Sequence, residues 1–318
     1  MIIQQEILWN ILLGFRNRFA LNPSGTDMVT ALYDKTGFQL LINEIPEIPL
    51  SQYALVLSLK KARSSRKRVA VFFVDSELRV EVLQTGQLNL PAIEFIRSFI
   101  SLCVMPALAF KMQRAISILH LAQSIDGRLA TLNNNSRWIS NTENLIYVHR
   151  MRALSDAILI GANTLLNDKP ALTVRYVKGP NPVKVIVGNS ATYFTSILES
   201  RDRIIHLVTR PVPQEKGIES IIMEGLSGQI RPADILRQLY IQGIYSVYIE
   251  GGAFTISAFI REKSADMINF FISPVIIGSG ISIDFQGIDA VKDAICLQNC
   301  KYTPMGEGML IRGCIKQA

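Results

Sequence analysis

The sequence predicts an α/β protein in two parts: a smaller N-terminal α/β or α+β domain over residues 1–112, and a mostly parallel sheet flanked by helices over 113–318. Three observations predict it. Beyond residue 113, β-prone apolar runs alternate with segments of helical period, the pattern that lays strands side by side beneath crossover helices. Before residue 113, short β-prone runs follow one another between two helical segments. A protein of 318 residues, 49% hydrophobic and 19% charged, is long enough for two cores and has no composition suited to long disordered tracts.

Residues 3–19 carry Ile3, Ile7, Leu8, Ile11, Leu12, Phe15 and Phe19 at helical spacing, and Asn22-Pro23-Ser24-Gly25 ends the pattern. Runs at 29–33, 38–42, 53–59, 69–74 and 78–83 read as strands, and a helix starts near Pro91. The second part reads as strand 115–122, helix 141–154, strands 157–160, 183–187 and 203–208, helix 232–242, strand 244–249 and helix 253–262. Ser140-Asn141-Thr142-Glu143 carries a capping-box signature, in which a hydroxyl and a carboxylate satisfy free amides reciprocally. Gly243 supplies the left-handed residue that closes the 232–242 helix. Runs at 267–272, 275–277 and 309–315 read as closing antiparallel strands.

The net charge of +7 fits a nucleic-acid surface, a membrane surface or a pocket for phosphorylated ligands. The densest basic run, 60–68, lies between apolar stretches and reads as a solvated loop, so no nucleic-acid partner is expected. Cys103, Cys296, Cys300 and Cys314 and the three histidines lack metal-ligand spacing, and no metal is expected. The N-terminus has no basic leader before an apolar core. The apolar stretch 99–110 is interrupted by Ser101 and Pro106 and is too short to span a bilayer, so a cytoplasmic protein with no membrane partner is expected.

Two segments carry chemistry. From Ile244 a strand runs into Glu250-Gly251-Gly252-Ala253-Phe254-Thr255, where glycines allow close approach to the backbone and a following helix offers unpaired amides, an arrangement that suits phosphate as well as a plain turn. No Gly-x-Gly-x-x-Gly follows a strand and no nucleoside-triphosphate loop is present, which argues against an ordinary Rossmann dehydrogenase. The other segment, Leu121-Ala122-Gln123-Ser124-Ile125-Asp126-Gly127-Arg128, is a strand ending in a glycine turn, followed by Ser136-Arg137-Trp138. Further on come His149-Arg150-Met151-Arg152, Gly161-Ala162-Asn163-Thr164 and Asp168-Lys169-Pro170-Ala171-Leu172-Thr173-Val174-Arg175.

In order and spacing these segments, from Ile116 to Gly306-Glu307-Gly308, resemble the pyrimidine reductases of riboflavin biosynthesis, whose fold is related to dihydrofolate reductase. The run from Leu129 to Arg137 is also similar to the stand-alone diaminopyrimidine reductases, which leaves two closely related substrates open. The resemblance implies a homodimeric, NADPH-dependent enzyme that converts the ribosyl group of a ribosylamino-pyrimidine 5′-phosphate, through its ring-opened imine, to ribityl. It implies cofactor contacts at Ala122, Trp138, Thr164 and Asp168, with Gly252, Ala253, Phe254 and Thr255 in the pyrophosphate cradle. It implies substrate contacts at Ser136, Arg152, Leu172, Arg175 and Glu250. The planar forks of the two arginines suit a substrate phosphate.

Two positions depart from the family. His120 stands where bifunctional members often have Lys; it could donate a hydrogen bond or a proton near the ribose, or be structural. Lys169 replaces the acid of a common Asp-Asp-Pro. Asp126 is a second catalytic candidate, although its carboxylate can equally orient the glycine turn. Bifunctional relatives carry a zinc deaminase at the N-terminus, yet residues 1–119 hold no histidine and only Cys103, so that chemistry is not expected and the domain reads as an eroded deaminase, an unrelated module or an assembly element. Two further readings stay open: a reductase of this fold acting on another pyrimidine, pterin-like or nucleoside substrate, and a catalytically silent NADPH-binding scaffold.

Overall fold

A computed structural model describes residues 5–34, 38–45, 53–61, 64, 68–136, 139–190, 194–225, 228–283 and 289–315. The protein divides into two units, Met1–Gln113 and Arg114–Ala318.

Unit 1 runs α1 (Gln5–Leu21), β1 (Met28–Tyr33), β2 (Phe38–Ile42), β3 (Tyr53–Ser58), β4 (Val69–Val74), β5 (Val80–Thr85), α2 (Leu90–Cys103) and α3 (Met105–Met112). The helical spacing of Leu8, Ile11, Leu12, Phe15 and Phe19 gives α1 one fully buried stripe. The strands form one five-stranded sheet in the order β2-β1-β3-β4-β5. β5 starts later than the apolar run suggests, because Leu78 adopts φ +61 in a turn whose Asp75 carboxylate accepts from the amides of Glu77 and Arg79. Asn89 caps α2 by accepting the Ala92 amide at 3.0 Å. The run Leu90–Met112 is long and apolar enough to cross a membrane, but the turn at Val104 and Pro106 divides it and most of it is buried. Of the basic run 60–68, Lys60 pairs with Asp27 and Lys61 with Glu81, while most of the remainder lies outside the described residues.

Unit 2 runs β6 (Ile116–Ser124), β7 (Ala130–Thr131), α4 (Thr142–Leu154), β8 (Ala157–Gly161), α5 (Ala162–Asp168), β9 (Val183–Val187), α6 (Thr195–Leu198), β10 (Ile204–Val208), β11 (Glu219–Ile222), α7 (Pro232–Ile241), β12 (Ser246–Ile249), α8 (Ala253–Arg261), β13 (Met267–Ser273), β14 (Gly280–Ile281), β15 (Leu297–Met305) and β16 (Gly308–Ile315). Nine strands make one sheet, β11-β10-β9-β8-β12-β6-β13-β16-β15. Every junction from β11 to β13 is parallel, and β16 and β15 close the sheet antiparallel. The mixed, mostly parallel sheet flanked by helices is the fold class the sequence predicts.

Strand alternation divides the core. Ala157, Leu159, Val185, Leu207, Val247 and Ile249 join Leu236, Ile256 and Phe259 of α7 and α8, whereas Ile158, Ile160 and Ile186 join Leu165 and Ile197 of α5 and α6. At the N-terminal strand ends, the Asp156 carboxylate accepts from the amides of Tyr245 and Ser246, and Asp266 accepts from the Ser117 amide and pairs with Arg114 at 2.6 Å. Those ends are thereby tied together, and the C-terminal ends are left to form a cleft.

Three expectations change. The capping box is not formed as predicted: Asn141 is the N-cap, accepting the Asn144 amide at 2.9 Å, and the Glu143 carboxylate accepts the Gly306 amide instead of closing on Ser140. Residues 275–277 are loop, and the strand in this stretch is the short β14. Of the closing strands, β13 lies parallel to β6, because α8 returns the backbone across the sheet as a crossover. Periodicity also leaves out α5, β11 and β15, each short or mostly half-exposed.

Candidate functional site

A cavity of about 1080 Å³ opens at the C-terminal ends of the parallel strands β6, β8, β9 and β12, where ligands enter open α/β sheets. One wall is mainly backbone. β8 turns at Gly161 into α5, and β12 turns at Gly251-Gly252 into α8. The Gly252 amide donates to the Thr164 hydroxyl at 3.1 Å, which ties the two turns together. A Cβ on Gly251 would stand 2.5 Å from Thr255 Cβ, and one on Gly252 would stand 3.2 Å from Thr164 Oγ1. Only glycine therefore keeps the turn at Gly251 this tight. α8 has no side-chain cap, so among the described residues its leading amides are unpaired donors at the positive end of the helix dipole. A floor without side chains beside free amides fits a pyrophosphate.

The other wall is built from α4 and residues 172–176. Arg152 donates from Nε and Nη2 to the two Glu250 oxygens at 2.7 and 2.7 Å, and from Nη1 to the Thr173 carbonyl at 2.9 Å. Burial alone would raise the Glu250 carboxyl, but the adjoining Arg152 guanidinium outweighs it and holds the group below the usual range. Arg175 is exposed at the cleft, and its guanidinium has no partner among the described residues. Its backbone amide donates to His149 Nδ1 at 2.8 Å, and the His149 ring meets Tyr176 edge-on at 4.7 Å. Burial, then the charges of Arg152 and Arg175, bring the His149 pKa down to about 4. His120 lies deeper; burial brings it also to about 4, and its Nδ1 has no hydrogen-bond partner among the described residues. Both rings are neutral at neutral pH.

Of the residues singled out from sequence, His120, Ala122, Ser136, Arg152, Thr164, Asp168, Arg175, Glu250 and 252–255 all line this one cavity. Burial raises the Asp168 carboxyl at the end of α5. Leu172 does not join them: its side chain is buried among Ile158, Ile160 and Leu165. Asp126 is also elsewhere. It accepts from the Ser124 hydroxyl and the amides of Ile277 and Gly278, which hold its carboxyl at about 2, and so it pins two loops instead of facing the cavity. Arg152 and Glu250 face each other, so the Arg152 fork that suits a phosphate is already occupied. Trp138 lies outside the described residues. Sequence reasoning passes over His149, although it sits one helical turn before Arg152 on the same helix face, a spacing visible in the sequence.

The family profile described as the RibD C-terminal domain matches residues 116–311. The protein belongs to that family. The riboflavin biosynthesis protein RibD of Aquifex aeolicus is 31% identical over 208 residues, covering 63% of this chain and 57% of that protein. The 2,5-diamino-6-ribosylamino-4(3H)-pyrimidinone 5′-phosphate reductase of Methanothermobacter thermautotrophicus is 30% identical over 217 residues, 64% of this chain and 99% of that protein. The match thus spans little more than half the length of the Aquifex RibD. In fold the likeness goes further: RibD of Acinetobacter baumannii superimposes with a TM-score of 0.64 at 16% identity, over 98% of this chain and 99% of that one. The alignment thus extends over unit 1 as well as unit 2, and among the described residues no His, Cys, Asp and Glu cluster could hold a metal.

Proposed function

We propose that this RibD-family protein is an NADPH-dependent reductase that converts the ribosyl group of a ribosylamino-pyrimidine 5′-phosphate to ribityl in riboflavin biosynthesis, as a cytoplasmic homodimer. The observation that carries the proposal is that one cavity brings a backbone cradle for a pyrophosphate face to face with an arginine suited to a phosphate monoester. NADPH, when bound, supplies a hydride to the carbon of the ring-opened imine, whose nitrogen takes up a proton.

The protein's own residues bind, orient and exclude water. The amides at the start of α8 and the Thr164 hydroxyl hold the dinucleotide phosphates, with Ala122, Asp168 and Phe254 along the rest of the cofactor. Arg175 and Ser136 bind the substrate, its phosphate falling to Arg175. Glu250, fixed by Arg152, presents a carboxylate edge to the hydroxyls of the opened sugar. His120, neutral beside this pair, adds no charge to this end of the cavity.

Loss of NADPH absorbance, measured with the deaminated and the non-deaminated ribosylamino-pyrimidine phosphate side by side, tests the reading and chooses between the two substrates. Turnover of neither, with NADPH bound, would overturn it in favour of another substrate or a silent scaffold. Sedimentation at micromolar concentration tests the homodimer, which a monomer alone would refute.

A further inference from the structure

The backbone amide of Arg175 is held to the cavity wall by a histidine ring. A backbone N–H can only donate, so His149 Nδ1, 2.8 Å from the Arg175 nitrogen, must carry a lone pair. The neutral ring then has its proton on Nε2, and among the described residues Nε2 meets no acceptor, although the ring lines the cavity. Tyr176 packs on the ring edge-on at 4.7 Å. The Arg175 side chain starts from this anchored amide, so the ring and the guanidinium stand together at the cavity.

We propose that His149 is a positioning and binding residue for the phosphate monoester of the substrate: its Nδ1 fixes the Arg175 segment, which sets the ring as the Nε2–H tautomer, and that N–H and the Arg175 guanidinium form one anion site. The inference rests on Arg175 meeting the substrate phosphate. It adds a neutral donor whose tautomer is set by the protein itself. Burial first, and then the charges of Arg152 and Arg175, disfavour protonation of the ring, with Glu250 opposing them.

The test uses the full-length protein with ribose 5-phosphate as the calorimetric probe and the pyrimidine phosphate as the kinetic one. His149→Phe keeps the ring's packing on Tyr176 and removes both nitrogens; it is expected to weaken ribose 5-phosphate and raise KM by about tenfold or more while leaving NADPH affinity unchanged. His149→Asn restores an acceptor and a donor and is expected to regain most of that loss, which a purely packing role would not allow. ¹⁵N shifts of the His149 ring in the wild type should report a bare Nδ1 and a protonated Nε2 at about pH 7. Wild-type affinity in His149→Phe, an Asn variant no better than Phe, or the opposite tautomer would each overturn the proposal. Arg175→Ala separates it from the reading beneath it: if that variant keeps full affinity for the phosphate, the substrate assignment itself fails, whereas loss in Arg175→Ala with none in His149→Phe sinks only the role of the histidine.

Discussion

On the α5 and α8 side of the cleft the donors are backbone amides, and what shapes them is the absence of side chains at Gly161, Gly251 and Gly252. On the α4 side the donors are side chains, and what shapes them is a contact within the protein: Arg152 is held by Glu250, and the Arg175 backbone amide is held by the His149 ring. The first wall is stiff because two helix starts are tied through Thr164. The second gains its order from a buried ion pair and from a ring that stays neutral among cations. A backbone site is therefore broken by adding atoms, and a side-chain site by removing them.

Substitutions can break this contrast, and the largest effect is expected at the ion pair. Arg152→Ala leaves Glu250 as a buried, unpaired carboxylate and should lower stability by about 3–5 kcal/mol in urea denaturation. Arg152→Met combined with Glu250→Leu should recover most of that stability without recovering substrate binding. A single variant as stable as the wild type would mean that the pair does not hold this wall.

Acid should discriminate the walls next. His120 and His149 have folded pKa values near 4, below the ordinary 6.5, so as the pH falls the unfolded state takes up protons first. Their contribution to stability is complete above pH 6.5, declines as the pH falls, and is gone below about 4. For His120 the expected loss is on the order of 3 kcal/mol, and His120→Gln should flatten the decline in chemical denaturation between about pH 7 and 4. An unchanged slope in that variant would show that the ring is already solvated in the folded state.

Gly252→Val tests the cradle: the added side chain intrudes beside Thr164 Oγ1 and should weaken NADPH on the order of 100-fold in a protein with wild-type circular dichroism. Unchanged NADPH affinity would remove the cradle from the cofactor site. Smallest is Arg175→Ala, expected to weaken the phosphorylated substrate about tenfold, with NADPH within about twofold. Equal losses of both ligands would show that the two walls act as one.

How far the sequence can be read differs along the protein in the same way. Strands with continuous apolar runs, β4 and β8, fall where the residues place them, because a strand buried on both faces leaves an unbroken record. β15 shows no such record: its exposed and half-buried positions are stabilised by pairing with β16. At the site, the Gly251-Gly252 turn before a helix is legible from residue type and spacing, whereas the two arginines are reached only through the family resemblance. Leu172 is not legible, since a family position says nothing about whether the side chain or the backbone faces the ligand.

Local periodicity and residue identity were enough to determine the alternation of strands and helices in the second part, the glycine turn into α8 and the lack of deaminase ligands before His120, because each is recorded in a local run of residues. Tertiary contacts decided that Arg152 is held by Glu250, that His149 anchors Arg175, and that Asp126 fastens Ile277 and Gly278 instead of facing the cavity. Those outcomes join residues separated by 98, 26, 151 and 152 positions. A charged or titratable side group takes whichever partner the fold brings within reach, and no spacing in the sequence records that choice.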